Sequence, residues 1–230
     1  MLLGIAGMVG SGKTTLARAL AARFGLQLAL ESVDQENPWL EPFYASTESM
    51  QTYALHLQLY FLASRFASMR RMRGLGGSWV LDRTWYEDAE VFAAGLHEQG
   101  LLSDEEWQLY RKLYAELLFA PAARPPRLLI YLEAPLETIL VRIAERGRPK
   151  ERDTARAYWE QLQARYAKWI AAFRHCPVLR IDVREYDLFV DPSGAAEGIA
   201  ARVRQRLEKE LPQTELWPPA VQAASIASPM

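Results

Sequence analysis

The sequence predicts an α/β fold in which a five-stranded parallel sheet is covered by helices on both faces. Short apolar segments alternate with longer amphipathic ones, the pattern of parallel strands joined by helices. A glycine-rich motif stands between the first strand and the first helix. The 230 residues are 50% hydrophobic and 24% charged, which is enough for one substantial core. We therefore expect one domain at 1–211 and a flexible tail at 212–230, where the periodicity ends.

The apolar segments and the amphipathic periodicity place the elements along the chain. The predicted strands are at 2–6, 27–30, 79–81, 128–132 and 178–181. The predicted helices are at 13–24, 48–73, 84–98, 104–119, 135–146, 154–174 and 193–210. Ser103 and Glu106 have the spacing of a capping box, and Pro135 is of a type favoured in the first turn of a helix.

Composition excludes several classes of protein. One cysteine, Cys176, and three scattered histidines exclude an internal disulfide and predict no structural zinc site. The apolar start has no basic residues before it and reaches glycine early, so it predicts a buried strand and not a secretory signal. No apolar run reaches membrane-spanning length, and we expect a cytoplasmic protein that does not bind a membrane. A pI of about 6.3 argues against binding nucleic acid through general positive charge.

Residues 7–14 match the phosphate-binding pattern G-x-x-x-x-G-K-[ST] in its proper place between a strand and a helix. Lys13 is expected to neutralise the β- and γ-phosphates of a nucleotide, and Thr14 to hold Mg²⁺. The motif predicts nucleotide binding, but kinases, motors and switches all share it. The expected nucleotide-binding residues are Gly7, Met8, Val9, Gly10, Ser11, Gly12, Lys13, Thr14 and Thr15.

Two predicted strands end in charged residues at the carboxyl edge of the sheet, where ligands bind in this fold class. Glu31 follows the second strand and could accept the proton of an attacking hydroxyl. Asp82 follows the third strand and could hold Mg²⁺ or its waters, while Arg83 could steady Glu31 and the acceptor. The alternative for each is a strand-end cap or a surface ion pair.

The helix after the fourth strand ends in a cluster of arginines. Arg142 and Arg146 are one turn apart on one face, Gly147 ends the helix, and Arg148 follows. This pattern predicts a lid at 142–153 whose arginines surround a transferring phosphoryl group and exclude water. The alternative is a solvated basic helix end that complements the helix dipole.

A third group of residues could recognise a base. Gln58 and Arg65 are two turns apart on one face of a helix, with Phe61 in the apolar stripe between them. Gln58 could pair with a nucleobase edge, and Arg65 could form an ion pair with Asp88 behind the base. Alternatively, both polar side chains reach solvent at the margin of the stripe.

Over about residues 1–190 these segments resemble the deoxyribonucleoside kinases related to deoxycytidine, deoxyguanosine and deoxyadenosine kinase. Besides the phosphate loop and Glu31, the matching segments are 36–40 with 43–44, 58–65, 82–88, and 142–148 without its two variable positions. The resemblance implies a P-loop kinase fold with an arginine-rich lid, and ATP and Mg²⁺ as cofactors. It implies that Glu31 is the base for the sugar 5′-hydroxyl and that Asp82 and Arg83 support metal and acceptor. Tyr44 and Glu151 match the residues that hold the 3′-hydroxyl, although Tyr53 competes with Tyr44.

We therefore expect ATP-dependent phosphorylation of the 5′-hydroxyl of a purine deoxyribonucleoside, deoxyadenosine or deoxyguanosine, for nucleotide salvage. The catalytic residues would be Glu31, Arg83, Lys13, Arg142 and Arg146, with Arg148 also contacting ATP. Alternatives are a deoxycytidine-preferring kinase of the same family and a nucleoside monophosphate kinase. A GTP-dependent switch would need an Asn-Lys-x-Asp signature, which the sequence lacks. As in relatives, the helices near 48–73 and 104–119 could pair two subunits into a homodimer.

Overall fold

A computed structural model describes residues 1–30, 37–147 and 154–210 of the chain. The sequence predictions for Glu31, Arg148, Glu151 and the tail at 212–230 lie outside the described residues. So does the greater part of the predicted lid, of which 142–147 are described.

The five strands form one parallel sheet, which confirms the predicted fold class. The strands are β1 (Leu2–Gly7), β2 (Gln27–Ala29), β3 (Trp79–Asp82), β4 (Leu128–Glu133) and β5 (Val178–Asp182). Their order in the sheet is β2-β3-β1-β4-β5, so β1 is central. Ile5 of β1 pairs with Asp82 of β3, and the carboxyl ends of these two strands therefore lie side by side.

Helices occupy the long connections, close to their predicted bounds. They are α1 (Lys13–Phe24), α2 (Leu40–Phe43), α3 (Thr47–Leu75), α4 (Trp85–Glu87), α5 (Ala94–Glu98), α6 (Asp104–Phe119), α7 (Leu136–Arg146), α8 (Arg156–Ala172) and α9 (Pro192–Glu210). Two features were not predicted: α2 is too short for a periodic pattern, and a π-helical segment, Asp88–Ala93, joins α4 to α5. Among the described residues, no helix combines the length and apolarity needed to cross a membrane.

The sheet separates two hydrophobic cores. Alternate residues of the strands point to opposite faces, so Leu3 and Ile5 enter one core while Ala6 enters the other. The first core is closed by α1 and α9, and the second by α3, α8 and the segment 85–93. Because both faces are covered, the strands are almost continuously apolar, as is usual in parallel sheets. Because the strands themselves carry almost only apolar side chains, we expect the functional residues at the strand ends.

Candidate active site

The phosphate loop runs from the end of β1 to the start of α1 on glycines in unusual conformations. Gly7, Gly10 and Gly12 have φ angles of 147°, 78° and 96°. A Cβ on Gly7 would lie 2.8 Å from the backbone oxygen of Leu132 and 2.9 Å from Ser11 Oγ. The side chain of Met8 is buried in the core, so at this position only the backbone can serve a ligand. Val9 and Thr15 are half-buried. The loop thus turns tightly and directs the chain into α1.

Lys13 lies inside the loop. Its side chain is buried, and its Nζ donates hydrogen bonds of 2.8 Å to the backbone oxygens of both Gly7 and Met8. These carbonyls hold the ammonium group within the curve of the loop, in a low-dielectric setting where its charge acts strongly. A phosphate entering the loop would meet this cation.

Thr14 and Asp82 form the contact between α1 and the end of β3. The Thr14 hydroxyl donates a hydrogen bond of 2.5 Å to Asp82 Oδ2. Asp82 is buried, and its Oδ1 has no hydrogen-bond partner among the described residues. A buried carboxylate oxygen left over beside a hydroxyl group is the oxygen-rich donor set that Mg²⁺ prefers. These two residues therefore fit a magnesium ion.

Arg83 follows Asp82 with a φ of +73°, a conformation that is uncommon for any residue other than glycine. Its backbone amide donates to the oxygen of Ile5 at 3.0 Å, so it still belongs to the edge of the sheet. Its guanidinium lies over the ring of Phe92, 4.6 Å from the centroid, and Nη1 donates to the Tyr166 hydroxyl at 3.3 Å. Such backbone strain is typical of functional sites.

Glu87 was not among the predicted site residues, yet it is fully buried beneath the phosphate loop. Burial raises the pKa of Glu87, while the charges of Arg83 and Lys13 act in the opposite direction. A signal was present in the sequence, because Thr84 and Glu87 have capping-box spacing. That spacing predicts the contact of Glu87 with Thr84 but not its contact with the loop.

Arg142 of α7 approaches the phosphate loop, and its Cβ lies 3.7 Å from the Cβ that a side chain at Gly10 would carry. Its guanidinium lies 4.3 Å from the ring centroid of Phe189, and Nη2 donates to Asp187 at 3.0 Å. Nη1 is buried without a hydrogen-bond partner in the part of the chain that the structure describes. Arg146, one turn later, is exposed, and α7 ends as predicted at Gly147 with φ 67°.

The residues predicted to recognise a base lie together inside the protein. Arg65 Nε donates to Asp88 Oδ2 at 2.7 Å, and both side chains are largely buried. Gln58 is 4% exposed, and within the described ranges its Oε1 has no hydrogen-bond partner. The alternative in which Gln58 and Arg65 reach solvent is therefore wrong. A buried amide oxygen beside an apolar stripe is costly unless a ligand satisfies it.

The tyrosines that compete for the sugar differ in their surroundings. Tyr44 is 48% exposed, with its ring edge-on to Phe43 at 4.9 Å. Tyr53 is half-buried in the cluster that also contains Phe61, and its ring lies 5.8 Å from that of Trp39. Tyr53 thus shares a cluster with a predicted substrate-binding residue, whereas Tyr44 lies at the surface.

Comparison with known proteins identifies the family. The model of a family described as deoxynucleoside kinase matches residues 3–208. The chain belongs to the deoxynucleoside kinase family. The matched range contains the five strands, apart from Leu2 at the start of β1, and every site residue discussed above.

Relatives of this deoxynucleoside kinase include proteins of Bacillus subtilis and Dictyostelium discoideum. The chain is 42% identical over 190 residues to the deoxyadenosine/deoxycytidine kinase of Bacillus subtilis, covering 83% of this chain and 86% of the relative. It is 38% identical over 200 residues to the deoxyadenosine kinase of Dictyostelium discoideum, covering 86% and 78%. The fold matches that of a deoxyadenosine kinase from M. mycoides solved with dCMP and a flexible dCDP bound. That match has a TM-score of 0.74 at 22% identity and covers 89% of this chain and all of that one.

In this deoxynucleoside kinase, positively charged side chains and a candidate metal ligand lie at one edge of the sheet. Lys13 lies in the phosphate loop, Arg142 beside it, and Arg83 at the adjacent strand end. Asp82 is bonded to the first turn of α1. Such an arrangement can align a nucleotide triphosphate and neutralise the charge that develops during phosphoryl transfer.

Proposed function

We propose that this enzyme transfers the γ-phosphoryl group of ATP to the 5′-hydroxyl of a purine deoxyribonucleoside, deoxyadenosine or deoxyguanosine, in nucleotide salvage. The observation that carries base recognition is the buried amide oxygen of Gln58, which has no hydrogen-bond partner among the described residues. The Arg65–Asp88 ion pair lies beside it, with Arg65 two turns further along the same helix face. A glutamine amide can donate and accept at once, which matches the edge of an adenine. The names of the relatives, deoxyadenosine/deoxycytidine, deoxyadenosine and deoxyguanosine kinase, support a purine substrate.

Transfer of a phosphoryl group depends mainly on positioning and charge neutralisation. In this proposal Lys13 binds the β- and γ-phosphates from inside the loop, and Arg142 approaches the same phosphates from α7. Thr14 and Asp82 would hold Mg²⁺, which, when bound, supplies charge neutralisation on the phosphate oxygens. The lid, with Arg146 and Arg148, would close over the donor and exclude water.

The acceptor side of the reaction lies next to β3. The chain leaves β2 at Ala29, which pairs with Leu81, the residue before Asp82. This register supports the proposal that Glu31, two residues beyond Ala29, accepts the proton of the 5′-hydroxyl while Arg83 steadies the acceptor. Glu151, and either Tyr44 or Tyr53, would hold the 3′-hydroxyl.

The test is a panel of the four deoxynucleosides with a coupled assay of ADP formation. We expect kcat/KM for deoxyadenosine or deoxyguanosine to exceed that for thymidine by at least roughly a hundredfold, because a site built for hydrogen bonding rejects mismatched bases strongly. Gln58→Leu should lower kcat/KM for the purine about a hundredfold with an unchanged KM for ATP. Gln51→Leu is the matched control, since Gln51 is exposed on the same helix. An unchanged kcat/KM for the purine in Gln58→Leu would contradict the proposal.

A deoxycytidine-preferring kinase is the second candidate, favoured by the Bacillus subtilis relative whose name includes both nucleosides. The same panel separates the two, because a cytosine preference would put deoxycytidine first. Including dAMP and dCMP tests the alternative of a monophosphate kinase, which would need cations to receive the phosphate of its acceptor.

We also propose that the enzyme is a homodimer that works in the cytoplasm, where ATP is available. Leu109 and Leu113, one turn apart on α6, are 49% and 40% exposed, and Phe119 at the end of the helix is 86% exposed. Exposed apolar residues on one helix support a contact with a second subunit. Sedimentation of the wild type should give a dimer and that of Leu113→Glu a monomer. A monomeric wild type would contradict this assignment.

A further inference from the structure

Glu87 receives hydrogen bonds from three separate parts of the fold. Its Oε1 accepts from the backbone amide of Gly7, at 3.3 Å, and from the hydroxyl of Tyr166, at 2.9 Å. Its Oε2 accepts from the backbone amide and the hydroxyl of Thr84, at 2.9 Å and 3.2 Å. One carboxylate thus joins the first residue of the phosphate loop, the residue after Arg83, and helix α8.

Complete burial of a carboxylate costs free energy, because the group loses its hydrogen bonds to water. Hydrogen-bond donors from the protein must replace them. In Glu87 both oxygens have two donors each, and the positive charges of Lys13 and Arg83 act on the group. A neutral or apolar residue could fill the same space at lower cost. In addition, a carboxylate fixes the orientation of each hydrogen-bond donor that it accepts from.

Two of those groups connect Glu87 to the proposed site. Gly7 begins the loop that would cradle the phosphates of the donor. Tyr166 donates to Glu87 and accepts from Arg83 Nη1, so the guanidinium beside the acceptor is connected to Glu87 through one hydroxyl. The bond from Thr84 to Glu87 also secures the turn just after the strained backbone of Arg83.

We infer that Glu87 is a positioning residue that fixes the phosphate loop through Gly7 and the Arg83 guanidinium through Tyr166. Donor and acceptor sides of the site are thereby held at a set separation by one buried carboxylate. This inference rests on the proposed phosphoryl transfer and adds to it two residues, Glu87 and Tyr166, that touch neither substrate.

The chain contains a matched control in Glu90. This carboxylate lies one turn further along the same helical segment and accepts from the Tyr114 hydroxyl at 2.9 Å and from Trp169 Nε1 at 2.7 Å. The Tyr114–Glu90 bond thus has the same chemistry and length as the Tyr166–Glu87 bond, but neither Tyr114 nor Trp169 contacts a predicted site residue through it. Removing each hydroxyl in turn separates a contribution to stability from a contribution to positioning.

The experiment compares Tyr166→Phe, Tyr114→Phe, Glu87→Gln and the double variant Glu87→Gln/Tyr166→Phe in the full-length enzyme. With both substrates saturating, Tyr166→Phe should lower kcat roughly tenfold, the size expected for losing one hydrogen bond to a charged group. Glu87→Gln should lower kcat further and raise the KM for ATP. The NH₂ group of glutamine cannot accept a hydrogen bond, so either Gly7 or Thr84 would lose its acceptor. The double variant should be no slower than Glu87→Gln, since groups acting as one unit are not additive.

Tyr114→Phe should lower the melting temperature while leaving kcat unchanged. The inference is overturned if Tyr166→Phe keeps the kcat of Tyr114→Phe, or if the effects of Glu87→Gln and Tyr166→Phe add. If Glu87→Gln does not fold, the two tyrosine variants decide the matter alone. A wild type that forms no ADP with any deoxynucleoside would instead refute the proposed function, so the two failures are distinguishable.

Discussion

Replacing Gly7 with alanine tests how firmly the phosphate loop is built into the sheet. Gly7 pairs with Leu132 in the ladder between β1 and β4, and it has a φ of 147°. An alanine Cβ there would lie 2.8 Å from the Leu132 backbone oxygen and 2.9 Å from Ser11 Oγ. The serine hydroxyl can rotate away, but the carbonyl is fixed by strand pairing. Gly7→Ala therefore combines backbone strain with a clash that the structure cannot easily relieve.

The two contributions can be estimated separately. Forcing an L-residue into an unfavourable φ costs about 1–3 kcal/mol. Overpacking against fixed atoms costs about 1–3 kcal/mol more. The sum, roughly 2–6 kcal/mol, is a large part of the approximately 5–15 kcal/mol by which a domain is stable. Gly25→Ala is the control: Gly25 has a φ of 62° with open space around its Cβ, so only the backbone cost of about 1–2 kcal/mol applies.

The measurement is urea unfolding of the wild type and of both variants, with the free energy of unfolding obtained by linear extrapolation. Gly7→Ala should be less stable than Gly25→Ala by about 1–3 kcal/mol, the overpacking contribution. Equal stability of the two variants would show that the loop can shift away from Leu132, and the reasoning about a rigid loop would be refuted.

Three further outcomes follow from the charged and buried groups. Asp82→Asn should raise the Mg²⁺ concentration for half-maximal activity about tenfold, as expected for loss of a charged ligand, and an unchanged Mg²⁺ titration would remove Asp82 from metal binding. Burial raises the pKa of the Cys176 thiol to about 12, so iodoacetamide at pH 8 should alkylate the folded protein roughly a hundredfold or more slowly than the unfolded protein; mass spectrometry showing equal rates would contradict this. Burial alone would raise the pKa of Asp187, but two backbone amides and Arg142 lower it overall. The stability this carboxylate adds is therefore present above its unfolded pKa, near 4, and lost as pH falls through its folded value. Urea unfolding of Asp187→Asn should accordingly show a smaller loss of stability between pH 6 and pH 3 than that of the wild type, and parallel losses would contradict the assignment.

Sequence reasoning succeeded where a local pattern carries the whole signal. The phosphate loop follows from its glycines and Lys13, and the end of α7 follows from Gly147, because these conformations depend on neighbouring residues. The Arg65–Asp88 pair was also predicted. It spans 23 positions, but the helix periodicity already placed Arg65 on an apolar face where a polar partner was needed.

The features that sequence reasoning missed depend on residues distant in the chain. The contact of Glu87 with Gly7 spans 80 positions, and that of Arg142 with Asp187 spans 45. The capping-box spacing at Thr84 indicates only the local half of what Glu87 does. The short α2 and the π-helical segment were missed because their composition is compatible with ordinary loops and helices.

The π-helical segment holds two carboxylates that serve different partners. Asp88 opens the segment and pairs with α3, whereas Glu90 reaches toward α6 and α8. Because a wider turn accommodates an additional residue, α5 keeps the orientation that an ordinary α-helix one residue shorter would give it. Deleting one position between 88 and 93 would restore ordinary winding and should leave His97 of α5 stacked against Trp107, with the ring centroids 5.4 Å apart.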